Sequence, residues 1–527
     1  MRSRRVAASI AYACILAVSA RGDDAPKVDV LTYHGDAART GQNAAETILT
    51  PAALTSGRFR RLASLPVDGS VYAQPLMATA VAAPRNRVRD LLIVATEHDT
   101  VYAFDVAPKR PRLVWRRSLA PRGERTAKAV EVGCGDLVPE IGITSTPVID
   151  RATNTIYVVA KTRERTRDAF HHRLHALELS TGKPKLGGPV EIVASVPGVG
   201  DGSGAGTIAF DPKVQHQRAA LLLVNSAVVV AWASHCDVGA YHGWVMTYDA
   251  ATLAQIAVHA TTPDGGLGGV WQAGCGISAD ASGDLYFATG NGTFDAVAGG
   301  KDYGDSAVRM STSGGLSVVD SFTPFDQADL EALDLDLGTS GLLVLPDQPG
   351  AHPHEVVFAG KAGTIYVLDR DAMGGFHVGD DSQIVQSLSG AIGGLFGAPA
   401  YWNGRVYVHG AGDDLKCFAL TDGRLSATPE TASGAVSGFP GSTPTISANG
   451  TADAIAWEIQ TDMYADKKRS AVLYAFDALD LTRRLWSSEL AGSRDRAGRA
   501  VKFAVPTVAN GRVFVGCVKR VVMYGLR

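Results

Sequence analysis

Short runs of alternating apolar and polar residues, bounded by Gly, Asn or Asp, recur along most of the chain. Thr155-Ile156-Tyr157-Val158-Val159-Ala160 and Arg405-Val406-Tyr407-Val408-His409 are two of the clearest. Successive side chains of a strand point to opposite faces, so such runs predict half-buried strands, and their β-branched and aromatic content agrees. A second pattern is stricter: an aromatic or apolar pair that runs into Asp or a turn. It occurs at Val101-Tyr102-Ala103-Phe104-Asp105, Leu174-His175-Ala176-Leu177-Glu178 and Met246-Thr247-Tyr248-Asp249. It returns at Ala307-Val308-Arg309-Met310, Ile365-Tyr366-Val367-Leu368-Asp369 and Cys417-Phe418-Ala419-Leu420, then at Val472-Leu473-Tyr474-Ala475-Phe476-Asp477 and Val522-Met523-Tyr524-Gly525. Repetition of one such unit along a chain marks a repeat architecture.

Ahead of several anchors stands a run that begins with proline: Gln74-Pro75-Leu76, Thr146-Pro147-Val148, Ala398-Pro399-Ala400, Thr443-Pro444-Thr445 and Val505-Pro506-Thr507. Proline is tolerated at a strand start or on an unpaired edge, which suits the first strand of a propeller blade beside the axis. Each unit then holds three to four short antiparallel strands. The expectation is an all-β, eight-bladed β-propeller of four-stranded antiparallel blades, over 59–527, behind a lead-in segment at 21–58. The longer early units place their extra residues in loops, where binding groups tend to sit.

Composition narrows the function. With 58 glycines, 24 prolines and 46% hydrophobic residues, the chain is globular and rich in turns. A net charge of −3 gives no electrostatic case for a nucleic-acid partner. Residues 1–20 read as an export signal: Arg2, Arg4 and Arg5, an apolar stretch from Val6 to Val18, and a cleavage site at Val18-Ser19-Ala20. Ser3-Arg4-Arg5 resembles the twin-arginine motif, although Ala7 and Ala8 stand where bulky apolar residues belong. A mature chain starting near Arg21, periplasmic or secreted and without a transmembrane segment, is expected. It keeps Cys134, Cys236, Cys275, Cys417 and Cys517, an odd number in a compartment that permits disulfides. No C-x-x-C-H haem attachment site, P-loop, H-E-x-x-H or G-x-S-x-G stretch is present.

Four stretches resemble the pyrroloquinoline-quinone-dependent alcohol dehydrogenases, which are eight-bladed propellers with the quinone on the axis. Ala359-Gly360-Lys361-Ala362-Gly363-Thr364-Ile365-Tyr366-Val367-Leu368-Asp369-Arg370 is similar to the family's A-P-K-N-G-x-x-Y-V-L-D-R, whose lysine bonds a quinone oxygen. Gly268-Gly269-Val270-Trp271 and Thr289-Gly290-Asn291 resemble the stretches that supply a tryptophan stacked on the quinone and an asparagine on the metal. Cys236-Asp237-Val238-Gly239 resembles the stretch carrying a metal-binding glutamate, with the shorter Asp237 in its place. Leu333-Asp334-Leu335-Asp336 resembles the stretch with the catalytic base.

The resemblance therefore implies Asp334 as base, Trp271, Lys361 and Cys134 at the quinone, and Asp237, Asn291 and Asp336 on calcium or a lanthanide. It also implies a small alcohol substrate and a separate electron acceptor such as a cytochrome. Two expectations follow about neighbours. Asp334 and Asp336, two apart in an extended segment, would face one side and share the metal. Gly133-Cys134-Gly135-Asp136 departs from the family's adjacent cysteine pair. Since the resemblance places Cys134, Cys236 and Cys275 near one end of the axis, Cys134 is expected to pair with Cys236 or Cys275. The missing second cysteine keeps an alternative open, a non-catalytic propeller that binds a partner. His34, His98, His171, His172, His175, His352 and His354 read as solvated loop histidines.

Overall fold

All eight anchors are the third strands of blades. The computed structural model of the protein describes residues 27–84 and 86–527, so the stretch read as an export signal, 1–20, lies outside the described residues. In the first blade, Leu76–Ala83, Arg87–Thr96, Thr100–Asp105 and Arg112–Ser118 pair antiparallel in that order, from the axis outward. The next six blades have their third strands at Phe170–Glu178, Trp244–Asp249, Ala307–Ser311, Ile365–Asp369, Lys416–Thr421 and Val472–Asp477. Each proline of the second pattern stands just before an innermost strand: Leu76–Ala83, Val148–Asp150, Ala400–Trp402, Thr445–Asn449 and Thr507–Ala509.

The eighth blade joins the two ends of the chain. Arg512–Leu526 folds back on itself at Lys519, whose φ is 58°. A Cβ on Gly525 would lie 2.9 Å from the carbonyl of Gly511. In a straight strand those residues would be about 46 Å apart. The returning half pairs with Phe59–Ser70, so a strand from the start of the propeller completes its last blade. Two short parallel pairings depart from the antiparallel rule: Gln42–Asn43 on the seventh blade and Gly375–Phe376 on the fourth.

What holds the ring together lies between blades. One apolar cluster joins Tyr157 and Val159 of the second blade to Trp232 and Trp244 of the third. Others join Phe287 to Val229, Phe358 to Tyr286, Phe418 to Val367, and Trp457 to Tyr524. A single blade cannot bury both its faces, so stability comes from these shared layers. Truncating one of the fully buried tryptophans is expected to cost about 3–5 kcal/mol.

The segment before the first propeller strand threads the axis and bonds every blade in turn. Val30 exchanges backbone hydrogen bonds with Met77, and Leu31 accepts from Ile149. Arg39 donates to Leu221 O, while Ala37, Ala38, Thr40 and Gly41 accept from Ala279, Val344, Tyr401 and Ile446. Asn43 donates to Val508 O in the eighth blade. The innermost strands would otherwise present unpaired backbone groups to the channel. Arg39 is fully buried and also donates to Thr32, Tyr33 and Ile277; burial pulls its pKa down to about 10.

Three histidines differ from the sequence expectation of solvated loops. His34 and His172 are buried, His34 between the carbonyls of Arg39 and Pro444, and His175 is buried in a strand of the second blade. His352 and His354 meet the expectation more closely, as part-exposed rings paired with Asp369 and Asp371.

Candidate functional site

A cavity of about 440 Å³ opens on the axis, lined by loops that connect successive blades. Cys134, Asp237, Trp271, Asp334, Asp336 and Lys361 line it, and Asn291 stands behind Asp334 and Asp336. The seven residues singled out from the sequence thus come together from loops far apart in the chain.

Asp336 is the buried centre of one wall. Its Oδ1 accepts from the Asn291 backbone N–H at 2.8 Å, and its Oδ2 lies 2.6 Å from Lys361 Nζ. That close approach requires Gly290, because a Cβ there would sit 2.1 Å from Asp336 Oδ1 and 2.8 Å from the Trp271 ring. Asp334 is 72% exposed, and its Oδ1 accepts from Lys361 at 2.7 Å and from the Asn291 side-chain amide at 2.9 Å. Burial alone would lower the Lys361 pKa, but Asp336 and then Asp334 outweigh it and raise it.

The two aspartates meet for a different reason from the one expected. The segment is not extended: Asp334 has φ 55°, between the short helix Gln327–Ala332 and a turn at Leu337–Thr339. Their convergence comes from this bend and from Lys361, whose ammonium bridges them. A cation does sit between the like charges, but it is the lysine's own.

Asp237 completes the acidic wall. It accepts from the Tyr241 hydroxyl, and its backbone N–H donates to Ser234 Oγ. Burial raises its pKa, the Tyr241 hydrogen bond opposes this, and the nearby charges of Asp336 and Asp334 raise it further. Two polar atoms in this wall are buried with no protein partner, Asn291 Oδ1 and Trp271 Nε1. An orphaned carbonyl oxygen beside two carboxylates is a donor set for a hard cation. Among the described residues no three His, Cys, Asp or Glu side chains converge as ligands, so the Asn291 oxygen would be the third.

Cys134 is bonded to Cys236, a closure across 102 residues, and the pair lies in the cavity wall next to Asp237. Cys275, the other partner considered, is a buried free thiol that accepts from the Tyr33 hydroxyl.

The opposite wall was not legible in the sequence. Asp136 pairs with Arg218 at 3.1 Å and with Lys502, which hold its pKa down to about 2 against the upward pull of burial. The Arg218 guanidinium lies 4.2 Å from the Phe503 ring centroid, and Lys502 sits among Phe439, Tyr464 and Phe503. Phe396 meets Phe439 edge to face at 4.8 Å. His216 and His235 fill the rest, stacked at 4.4 Å. The one local signal was the polar run Gln215-His216-Gln217-Arg218 just before an apolar innermost strand.

Neither a family model nor a curated protein matches the sequence. Solved structures do match its fold. A europium-containing methanol dehydrogenase superposes with a TM-score of 0.60 over 95% of this chain and 98% of its own, at 13% identity. BamB from Moraxella catarrhalis gives 0.48 over 89% of this chain and 100% of its own, also at 13% identity. The chain has the eight-bladed fold of the quinoprotein alcohol-dehydrogenase-like propellers. Identities this low speak to the fold alone.

Proposed function

We propose that the protein is a quinoprotein-type oxidoreductase that works outside the cytoplasm and oxidises an alcohol with pyrroloquinoline quinone and a hard cation. The observation that carries this reading is the acidic wall, where Asn291 Oδ1 and Trp271 Nε1 are buried without partners beside two carboxylates. Buried polar groups are nearly always paired, so an unpaired set in the wall behind a cavity lining supports a missing ligand.

In this reading Asp237, Asn291 and Asp336 hold the cation, calcium or a lanthanide. Trp271 offers an aromatic face, and the Cys134–Cys236 disulfide borders the same space. When bound, the quinone supplies the electron acceptor and the cation polarises its oxygen. Asp334 is the exposed carboxylate and takes the substrate hydroxyl proton at Oδ, a general-base role. Lys361 holds Asp334 in place through its ion pair and hydrogen bonds. Asn291 orients Asp334 through its amide and leaves its own oxygen for the cation. Electrons leave to a separate carrier, since the chain has no haem attachment site.

A second reading has one observation in its favour. Lys361 already pairs with both Asp334 and Asp336, an arrangement that a non-catalytic propeller would also tolerate. One experiment separates the two. Mature protein is incubated with quinone and Ca²⁺ or a lanthanide, desalted, and assayed for retained chromophore and alcohol-dependent dye reduction. Both are expected. Folded protein that retains no chromophore would favour the scaffold.

A further inference from the structure

A second concave site lies on the seventh blade. A cleft of about 250 Å³ opens between two of its loops. Residues 461–471 join the blade's second and third strands, and residues 488–504 lead on to the eighth blade. Loops of these two kinds carry Lys361 and Asp334 to the cavity in other blades, so the cleft opens on the same face, and Phe503 of the second loop reaches the cavity itself. Backbone pairing fixes the walls. Ala471 N–H donates to Gly498 O at 2.9 Å, and Ser488 N–H donates to Leu473 O at 3.0 Å. Asp466 Oδ1 accepts from Lys468 N–H at 2.8 Å, which holds the turn before Arg469. Ser488 lines the cleft as a buried side chain, and its Oγ accepts from Leu473 N–H at 3.1 Å.

The charged residues of the lining are Lys468, Arg469 and Arg496 against Glu489, all exposed, with Ser470 beside them. None of these four side chains forms an ion pair among the described residues, although nearby cations do. Arg494 is paired with Asp495, and Lys502 with Asp136. More positive charge stands behind the cleft. Ser470 bridges to Arg499, whose Nε is buried without a partner, and a Cβ on Gly498 would lie 3.1 Å from Arg520 Cγ. Like charges gathered on one small surface repel, and here they gather in a chain whose net charge is −3.

The amount of charge and the donor types select the ligand. Three cations against one carboxylate leave the lining at +2. A carboxylate ligand would cancel half of that. A phosphate group carries about −1.5 to −2 at neutral pH and presents three acceptor oxygens. Two guanidinium forks match those oxygens pairwise, an ammonium adds a compact charge, and a serine hydroxyl adds a neutral donor.

We propose that this cleft binds a small, soluble phosphate-bearing ligand, clamped by Arg469 and Arg496, drawn in by Lys468 and held to moderate affinity by Glu489. It is a binding site alone, with no bond made or broken in it, and it does not depend on the quinone reading. A concave space of this size admits one small ligand and not a flat anionic surface.

Calorimetric titration of inorganic phosphate into mature protein, without quinone or metal, tests the site. Saturable one-site binding is expected, at least about tenfold tighter than that of acetate. Arg469→Gln and Arg496→Gln should each weaken it by about tenfold or more, and Glu489→Gln should tighten it about two- to fivefold. These side chains are exposed, so thermal unfolding should not change, which separates lost binding from lost fold. Arg483→Gln removes a cation of the same blade outside the cleft, one paired with Asp477, and should leave binding unaltered. Absent or unsaturable binding, acetate binding as tightly as phosphate, or an equal loss in Arg483→Gln would overturn the proposal. A second arm uses phosphatidylcholine vesicles with added phosphatidic acid. Binding to these vesicles without binding of free phosphate would overturn the assignment to a soluble ligand.

Discussion

The two walls of the cavity are built from similar residue types and end in opposite conditions. On one side Asp136 is met by two cations, which are themselves packed on Phe503, Phe439 and Tyr464. Every charge there has a partner, and the carboxylate is stabilised as an anion. On the other side Asp237, Asp334 and Asp336 share one cation, Lys361, and leave Asn291 Oδ1 and Trp271 Nε1 unpaired. A completed wall contributes stability and shape. On the proposed reading the incomplete wall gives up stability to hold a ligand, the usual trade at functional sites.

Substitutions should separate the walls, and the largest effect belongs to the acidic one. Asp334→Asn should lower kcat for alcohol oxidation by about 10²–10⁴-fold while quinone still binds, as judged by steady-state dye reduction and chromophore retention. Asp336→Ala should instead weaken cation binding, most of all for a lanthanide, which a metal titration reads. Next in size is the covalent tie between the walls. Replacing Cys134 and Cys236 together by serine should cost about 2–4 kcal/mol in denaturant unfolding, because a long loop is released.

Asp136 supplies a smaller effect with a defined pH signature. Its folded pKa of about 2 lies below the unfolded value of about 3.9, so the stability it contributes is present above pH 4 and lost as pH falls from about 4 to 2. The amount is about 2 kcal/mol, and Asp136→Asn should remove both it and that part of the acid dependence. Asp237 should behave in the reverse sense. Its pKa is raised on folding, so its ionised form opposes folding once pH exceeds the unfolded value. Asp237→Asn keeps an acceptor for Tyr241 and should leave stability at neutral pH unchanged or raise it by under about 1 kcal/mol. A loss as large as that of Asp136→Asn would erase the contrast between the walls.

The sequence carried the fold and the acidic wall for one physical reason, and lost the rest for another. Strand alternation, the apolar pair before Asp, and proline at a strand start are local consequences of backbone geometry, so all eight third strands were legible. The acidic wall was legible because each of its residues sits in a short stretch similar to a known pattern. Arg218, Lys502, Phe439 and Phe503 meet only after the ring closes, and apart from the polar run that ends in Arg218 nothing in their neighbourhoods marks them. His172 and His175 were expected in solvent because a histidine pair carries no sign of which face its strand presents. The axial segment is quieter still. Its conformation is set by the inner edges of eight blades, and its own residues show no period.

The central claim is that the acidic wall is a ligand site left open by design. Its most direct test is equilibrium binding of pyrroloquinoline quinone, with lanthanum or calcium, to mature protein whose disulfide is intact. Quenching of tryptophan fluorescence reads the binding. The account predicts saturable binding that requires the cation, is lost in Asn291→Ala, and survives in Asp136→Asn. Folded wild-type protein that binds no quinone in the presence of either metal would contradict it.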